Sequence, residues 1–398
     1  MIIRNALVYT LDHGFIEKDV YIENGYFVEE KYYTGDRDEV LDAKGDYLIP
    51  GLLDIHFHGC AGHDFSDGTE EALEAIGRYE LEHGITSICP ASMTLPEDTL
   101  LRVCENASEY QNKVAEEMKS KDGQGDVSKQ ERHAPMRSRL CGIHLEGPFI
   151  SKEKKGAQNP AYIKEPDAEM FCRLQVAAGG LLRLITIAPE IEGAQDFIKR
   201  LSQEVHISVG HTTSDYEMAY QAFMLGADHV THFFNAMPGF THRAPGVVGA
   251  AFDAKHVMPE LICDGIHVDA SAVRVMFQLF GAERMILISD SMRATGMADG
   301  EYTLGGLPVT VRGNLATLSD GTIAGSATNL MDCMRMAVSM GIPLEVAVRS
   351  ATYNPAKSIG VADVCGSIDC GKYGDCVIIA KEDLAIRQVI LGGEVEEK

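Results

Sequence analysis

YLIPGLLDIHFH, residues 47–58, runs apolar for most of its length and then places two histidines two residues apart. A short apolar run bounded by a turn reads as a buried strand, and strand residues at i and i+2 point the same way. His56 and His58 can therefore grip one ion together at the end of that strand. Seven further apolar segments follow, at 85–91, 140–145, 182–188, 205–209, 229–234, 260–263 and 284–289. Between them, 70–82, 168–178, 216–225 and 270–280 carry apolar residues at three- and four-residue spacing, the pattern of amphipathic helices. Eight buried strands alternating with helices over about 250 residues predict an α/β fold, a (β/α)8 TIM-like barrel. The rival, a doubly wound open sheet, has no phosphate-binding glycine motif behind any strand to support it.

Polar residues gather at one end of these strands: His56 and His58, His144 and Glu146, His211, His232 and Asp290. In a barrel all such ends open on one face, where active sites are built. Glu146, His211 and His232 add carboxylate and imidazole ligands that suit Zn²⁺ or Fe²⁺. Each residue alone has a plainer reading. A histidine near a strand end is more often a hydrogen-bonded structural residue, Asp290 could cap a helix, and Glu146-Gly147-Pro148 could be a turn. His56, His58, Glu146, His211, His232 and Asp290, six residues on one face of five strands, outweigh those readings. His144 and His206 sit inside apolar strands and are expected to face the packed side, while His229 is expected to bond backbone.

The two ends of the chain look different from its middle. Residues 1–10 and 19–26 read as short alternating strands with an Asn24-Gly25 hairpin signal, and 375–380 and 385–391 resemble them. Both ends are expected to pair into a small β-sandwich domain (1–53 with 362–398) beside a barrel spanning 54–361. Residues 111–139, rich in Lys, Glu, Gln and Ser, read as a helix end followed by an exposed loop. The formal net charge of −24 argues against nucleic acid or an anionic membrane as partner. If the substrate is anionic, that charge demands a local basic cluster. No apolar run approaches the ~20 residues of a membrane span. Ten scattered cysteines without a C-x-x-C pair, and no signal-like start, point to a cytoplasmic setting.

Longer motifs narrow the reading. IPGLLDIHFHG (49–59) resembles the amidohydrolase superfamily as a whole. GIHLEGPF (142–149), KGAQNP (155–160), APE (188–190), GHT (210–212), THFFNAM (231–237) and DGIH (264–267) are similar, within it, to the family of N-acetylglucosamine-6-phosphate deacetylases. The resemblance covers essentially the whole chain except 111–139. It implies a metal-dependent hydrolase that releases acetate from a phosphorylated amino sugar, with Glu146 standing where many relatives use a carboxylated lysine. Glu146, His211 and His232 would hold one divalent ion, zinc or iron, and His56 with His58 leave room for a second. The resemblance further implies Asn235, Ala236, Arg243 and His267 at the phosphate, and Ala157 with Ile323, Ala324 and Gly325 along the sugar and acetyl group. It implies a homodimer in which Arg243 reaches the neighbouring subunit's pocket. Asp290 would serve as general base and acid, and His144 would help the oxyanion if its ring faces the mouth. Alternatives are a deacetylase for another amino-sugar phosphate, such as the galactosamine epimer, and a cyclic-amide hydrolase. A non-catalytic assembly protein on the same scaffold is disfavoured, because all six candidate ligands and base are present.

Overall fold

In a computed structural model, residues 1–36, 40–122 and 136–396 are described. Eight strands run parallel in sequence order: Leu52–Asp54, Ile85–Ile88, Ile143–Glu146, Leu182–Ile187, His206–Val209, His229–Val230, Met258–Ile262 and Ile286–Ile288. Ala91–Ser92 prolongs the second strand and pairs it with the third. The eighth strand meets the first through site residues rather than a ladder. Asp290 N–H donates to the His56 carbonyl at 2.9 Å and His58 N–H donates to the Ser291 carbonyl at 2.7 Å. Below them the buried Asp54 carboxylate accepts from the Ser289 amide and hydroxyl. This is the TIM-like α/β fold that the alternation predicts.

The helices begin where side chains can cap them. Glu70–Glu82, Ala168–Ala177, Tyr216–Leu225 and Ala270–Phe280 follow Thr69, Asp167, Asp215 and Asp269, each of which accepts a first-turn amide. Among the described residues no helix is long and apolar enough to cross a membrane.

Both chain ends enter one eight-stranded sheet. Its order is Glu394–Val395, Ile386–Leu391, Cys376–Ile379, Tyr47–Pro50, Ile2–Thr10, Gly14–Glu23 and Tyr26–Val28, with Val40–Asp42 also on Ile2–Thr10. Its apolar side includes Ile3, Val8, Ile22, Leu48, Ile378 and Ile390, a cluster separate from the barrel core. Arg139, on a short strand paired with the second barrel strand, donates twice to Asp375 beside the terminal sheet, at 2.7 and 3.1 Å.

Two readings of the sequence need correction here, and one sheet went unread. The run 47–58 serves two sheets: Tyr47–Pro50 belongs to the terminal sheet and only Leu52–Asp54 to the barrel. Gly51 makes that transfer, since a Cβ there would lie 2.0 Å from Thr86 Oγ1 on the second barrel strand. The second terminal strand spans Gly14–Glu23 rather than 19–26, and its turn leads to a third, Tyr26–Val28. Gly300–Leu304, Leu307–Arg312 and Leu315–Thr317 form an antiparallel sheet that the apolar runs do not announce. Residues 111–122 continue a helix, Glu97–Asp122, and the loop expected beyond it falls on 123–135, outside the described residues.

Glu80, on the first barrel helix, is fully buried with no strong hydrogen-bond donor beside it. Burial, and then the Asp54 charge, push its pKa up to about 8 against the opposing Cys60 thiol. The folded chain thus keeps a proton that the unfolded chain loses above its ordinary value of 4.5. Stability should therefore fall as pH rises from that value through about 8. Glu80→Gln is expected to flatten this dependence and to melt higher than wild type at alkaline pH. Parallel melting curves for the two proteins across that range would contradict the burial of an unpaired acid.

Candidate metal centre and active site

Strand ends alone do not aim side chains at one point; the turns after them do. His211, His232 and Asp290 take φ of 47°, 26° and 50°, a conformation that residues other than glycine rarely adopt. Each strand stops there, and the turn throws its side chain across the mouth. The turn after His211 is held by Glu190, which accepts from Thr213 N–H at 2.6 Å and Ser214 Oγ–H at 2.8 Å. That contact gives the APE motif a structural reason.

Four imidazoles converge on Glu146. His211 Nε2 and His232 Nε2 each lie 3.1 Å from its Oε1 and 3.0 Å from one another. His56 Nε2 is 3.3 Å from Oε1 and His58 Nε2 is 3.3 Å from Oε2. Asp290 Oδ1 stands 3.3 Å from His58 Nε2. The far nitrogens of three rings are anchored. His56 Nδ1–H donates to Glu260 Oε2 at 2.8 Å, His58 Nδ1–H to the Ala91 carbonyl at 3.1 Å, and His211 Nδ1–H to the Lys154 carbonyl at 2.8 Å. Those bonds leave the Nε2 atoms for the mouth.

Burial opposes the charge on Glu146, yet His56, His211 and His232 hold its pKa well below the ordinary carboxylate range. Burial would likewise strip His58 of its proton, but Asp290 and Glu146 raise its pKa to about 10. His56 is raised too: burial opposes the charge, and Glu260 and Glu146 outweigh it. The carboxylates around these two rings thus favour positive charge at the place where a divalent ion would supply it.

The donor set fits such an ion. The triangle of Glu146 Oε1, His211 Nε2 and His232 Nε2, with sides of 3.0–3.1 Å, is close to the about 3.3 Å between two ligands of one tetrahedral ion. His56 Nε2 is buried and without a hydrogen bond, so it too lacks a partner that a cation would supply. Glu146 with His211 and His232, and Glu146 with His56 and His58, are both groups that could hold a metal ion.

A cavity of about 540 Å³ opens above this cluster, lined by His58, Glu146, His211, His232 and Asp290. It also takes in Ala157, Asn235, Ala236, His267, Ile323 and Gly325. Three expected residues stand elsewhere. Arg243 is exposed on the loop after Met237 and does not line its own chain's cavity. Ala324 is buried with Met292, Leu304 and Val309, its backbone N–H donating to the Ala316 carbonyl. His144 does not face the mouth: its ring nitrogens lie 3.3 Å from the Ile55 carbonyl and 2.8 Å from Thr186 Oγ1, inside the barrel. Burial and the neighbouring His56 charge keep it neutral, and the condition for an oxyanion role is not met. His206 is half-exposed, and His229 bonds the Asp228 carboxylate rather than backbone.

Two residues escaped the reading of motifs. Gln158 donates to Glu146 Oε2 at 2.5 Å, and Glu260 anchors His56 from below. Gln158 lies within KGAQNP, whereas the signal for Glu260 is a lone charge in an apolar run.

A profile described as the amidohydrolase family matches residues 47–395. The chain belongs to the amidohydrolase family. Within that family it is 38% identical over 356 residues to an N-acetylglucosamine-6-phosphate deacetylase from Bacillus subtilis (strain 168), covering 89% of this chain and 86% of that protein. It is 33% identical over 398 residues to a protein of the same name from Lysinibacillus sphaericus, covering 99% and 97%. Among solved structures it is similar to a mutant N-acetyl-D-glucosamine-6-phosphate deacetylase from Mycobacterium smegmatis in complex with N-acetyl-D-glucosamine-6-phosphate. That likeness has a TM-score of 0.86 at 31% identity and covers 99% of this chain and 98% of that one.

Glu260→Ala frees His56 Nδ1 and is expected to weaken binding of a divalent ion about 10–100-fold, read by chelator competition. Glu260→Gln, whose amide oxygen still accepts from Nδ1–H, should recover most of it. Equal metal affinity in wild type and the alanine variant would show that Glu260 does not orient His56.

Proposed function

We propose that this chain hydrolyses N-acetyl-D-glucosamine 6-phosphate to D-glucosamine 6-phosphate and acetate. The observation that carries the reading is the convergence of four imidazoles and Asp290 on Glu146 within an amidohydrolase-family chain whose relatives are named for this deacetylation.

Glu146, His211 and His232 would hold one ion, and His56 with His58 a second. Bound there, zinc or iron supplies a Lewis acid for the acetyl carbonyl and acidifies the attacking water. Asp290 Oδ1, at the cavity wall, takes the proton of that water and returns it to the departing nitrogen. The second transfer matters because an amine leaves poorly as an anion. Burial raises the Asp290 pKa, but His58, His56 and His232 outweigh it and keep the carboxylate below its ordinary value, so it starts unprotonated.

Asn235, Ala236 and His267 would receive the 6-phosphate, and Ala157, Ile323 and Gly325 the sugar and acetyl group. His267 Nδ1–H donates to Asp264 at 2.7 Å, which leaves Nε2 facing the cavity. Burial opposes its charged form, and Asp264 then raises its pKa above the ordinary value. Arg243 would act on the pocket of a second copy in a homodimer; its exposure outside its own cavity supports that role. A cytoplasmic location belongs to the same reading. So does a division into a small β-sandwich domain (1–53 with 362–398) and a barrel (54–361), supported by the separate apolar cluster of the terminal sheet.

Acetate release should be measured from N-acetylglucosamine 6-phosphate, its galactose epimer and the unphosphorylated sugar. Highest kcat/KM on the first supports the reading, and no release from any of them overturns it. Asp290→Asn is expected to keep its metal while kcat falls about 10²–10⁴-fold. Near-normal turnover would remove Asp290 from its role. Arg243→Ala should chiefly raise KM for the phosphorylated sugar, and an equal effect on the unphosphorylated one would move Arg243 away from the phosphate.

A further inference from the structure

We propose that Lys154 supplies the positive charge for the substrate's phosphate from within the same subunit, and so sets the preference for phosphorylated over unphosphorylated sugar. The inference rests on the deacetylation reading above and adds a residue to it.

The segment carrying Lys154 is fixed to the metal cluster. Ser151 N–H donates to the His211 carbonyl at 2.9 Å, the Lys154 carbonyl accepts from His211 Nδ1–H at 2.8 Å, and Gln158 donates to Glu146. The Lys154 side chain therefore leaves from an anchored backbone. It lines the cavity, and its ammonium donates at 3.5 Å to the carbonyl of Met237, the residue after Ala236. Two of its three N–H donors remain beside the Asn235–Ala236 turn.

Charge balance separates Lys154 from its neighbours. A phosphate ester brings about two negative charges into a chain whose net charge is already −24. The charge of His267 is offset by Asp264 at 2.7 Å. Lys155 turns away from the Asn235–Ala236 turn and donates to the Gly156 carbonyl at 3.3 Å, while Lys152 and Arg243 are exposed and screened by water. Lys154 is half-buried and, among the described residues, has no carboxylate within ion-pair distance. Partial burial of an unpaired ammonium is unfavourable, and a phosphate oxygen relieves it with a charge-assisted hydrogen bond.

The test is steady-state kinetics of the metal-loaded enzyme on N-acetylglucosamine 6-phosphate and on N-acetylglucosamine, for wild type, Lys154→Gln and Lys154→Arg. Inorganic phosphate serves as a competitive inhibitor. Both substitutions keep the backbone carbonyl that holds His211. Lys154→Gln is expected to raise KM for the phosphorylated sugar and Ki for phosphate about 10-fold or more. Its kcat should change little, and kcat/KM for the unphosphorylated sugar far less than for the phosphorylated one. Lys154→Arg should recover most of the loss. If wild type itself shows no preference for the phosphorylated sugar, the deacetylation reading fails with its substrate. If wild type prefers it and Lys154→Gln keeps that preference, the proposal alone is overturned. Loss of bound metal or of the folded melt in both variants also overturns it, because a structural role then accounts for the effect.

Discussion

One buried carboxylate must stay ionised where water barely reaches it, and the mouth of the barrel is arranged around that need. Glu146 is 2% exposed and has four imidazole nitrogens within 3.3 Å. Those rings do not orient themselves. Each of three is turned by an acceptor behind it: the Glu260 carboxylate, the Ala91 carbonyl and the Lys154 carbonyl. These acceptors come from the seventh barrel strand, the prolonged second strand and the segment after the third. The tautomers at the site are therefore a product of barrel closure, and closure runs through the site as well. Asp290 and His58 make the hydrogen bonds that join the eighth strand to the first.

Much of this was legible from strand logic. Residues two apart share a face, and parallel barrel strands share an end, so His56, His58, Glu146, His211, His232 and Asp290 could be grouped before any coordinates. The four helices were legible from their apolar spacing, whereas the Thr and Asp side chains that cap them emerge from the structure. His144 shows where that logic stops. It has the same parity as Glu146 and points inward too, but one layer deeper. There it joins a chain of buried hydroxyls, with Thr186 2.8 Å from Thr231 and Thr231 2.6 Å from Ser208. Parity gives a face and says nothing of depth. Glu260 was hidden for a related reason: an apolar run with one acid reads as a strand, and only packing reveals that the acid lies under His56. The split of residues 47–58 at Gly51 likewise depends on a close approach to Thr86 that no periodicity records.

Electrostatics tie the cluster to its substrate. The protein as a whole repels anions, so recognition of a phosphate must be local. The segment 151–158 links the two ends of the site, since its backbone carbonyl sets His211, its glutamine supports Glu146, and its Lys154 side chain lines the same cavity. In this account the same few residues that position a metal ligand also present the counter-charge.

The central claim is that Glu146 organises an ion on which hydrolysis depends. The direct measurement is acetate release from N-acetylglucosamine 6-phosphate after complete chelation, followed by stepwise return of zinc or iron with ions bound per chain counted in parallel. The account predicts no release from stripped protein, recovery in proportion to bound ion, and saturation at one or two ions per chain, with Glu146→Ala neither binding nor recovering. Undiminished release from the stripped protein, or full recovery by Glu146→Ala, would contradict it.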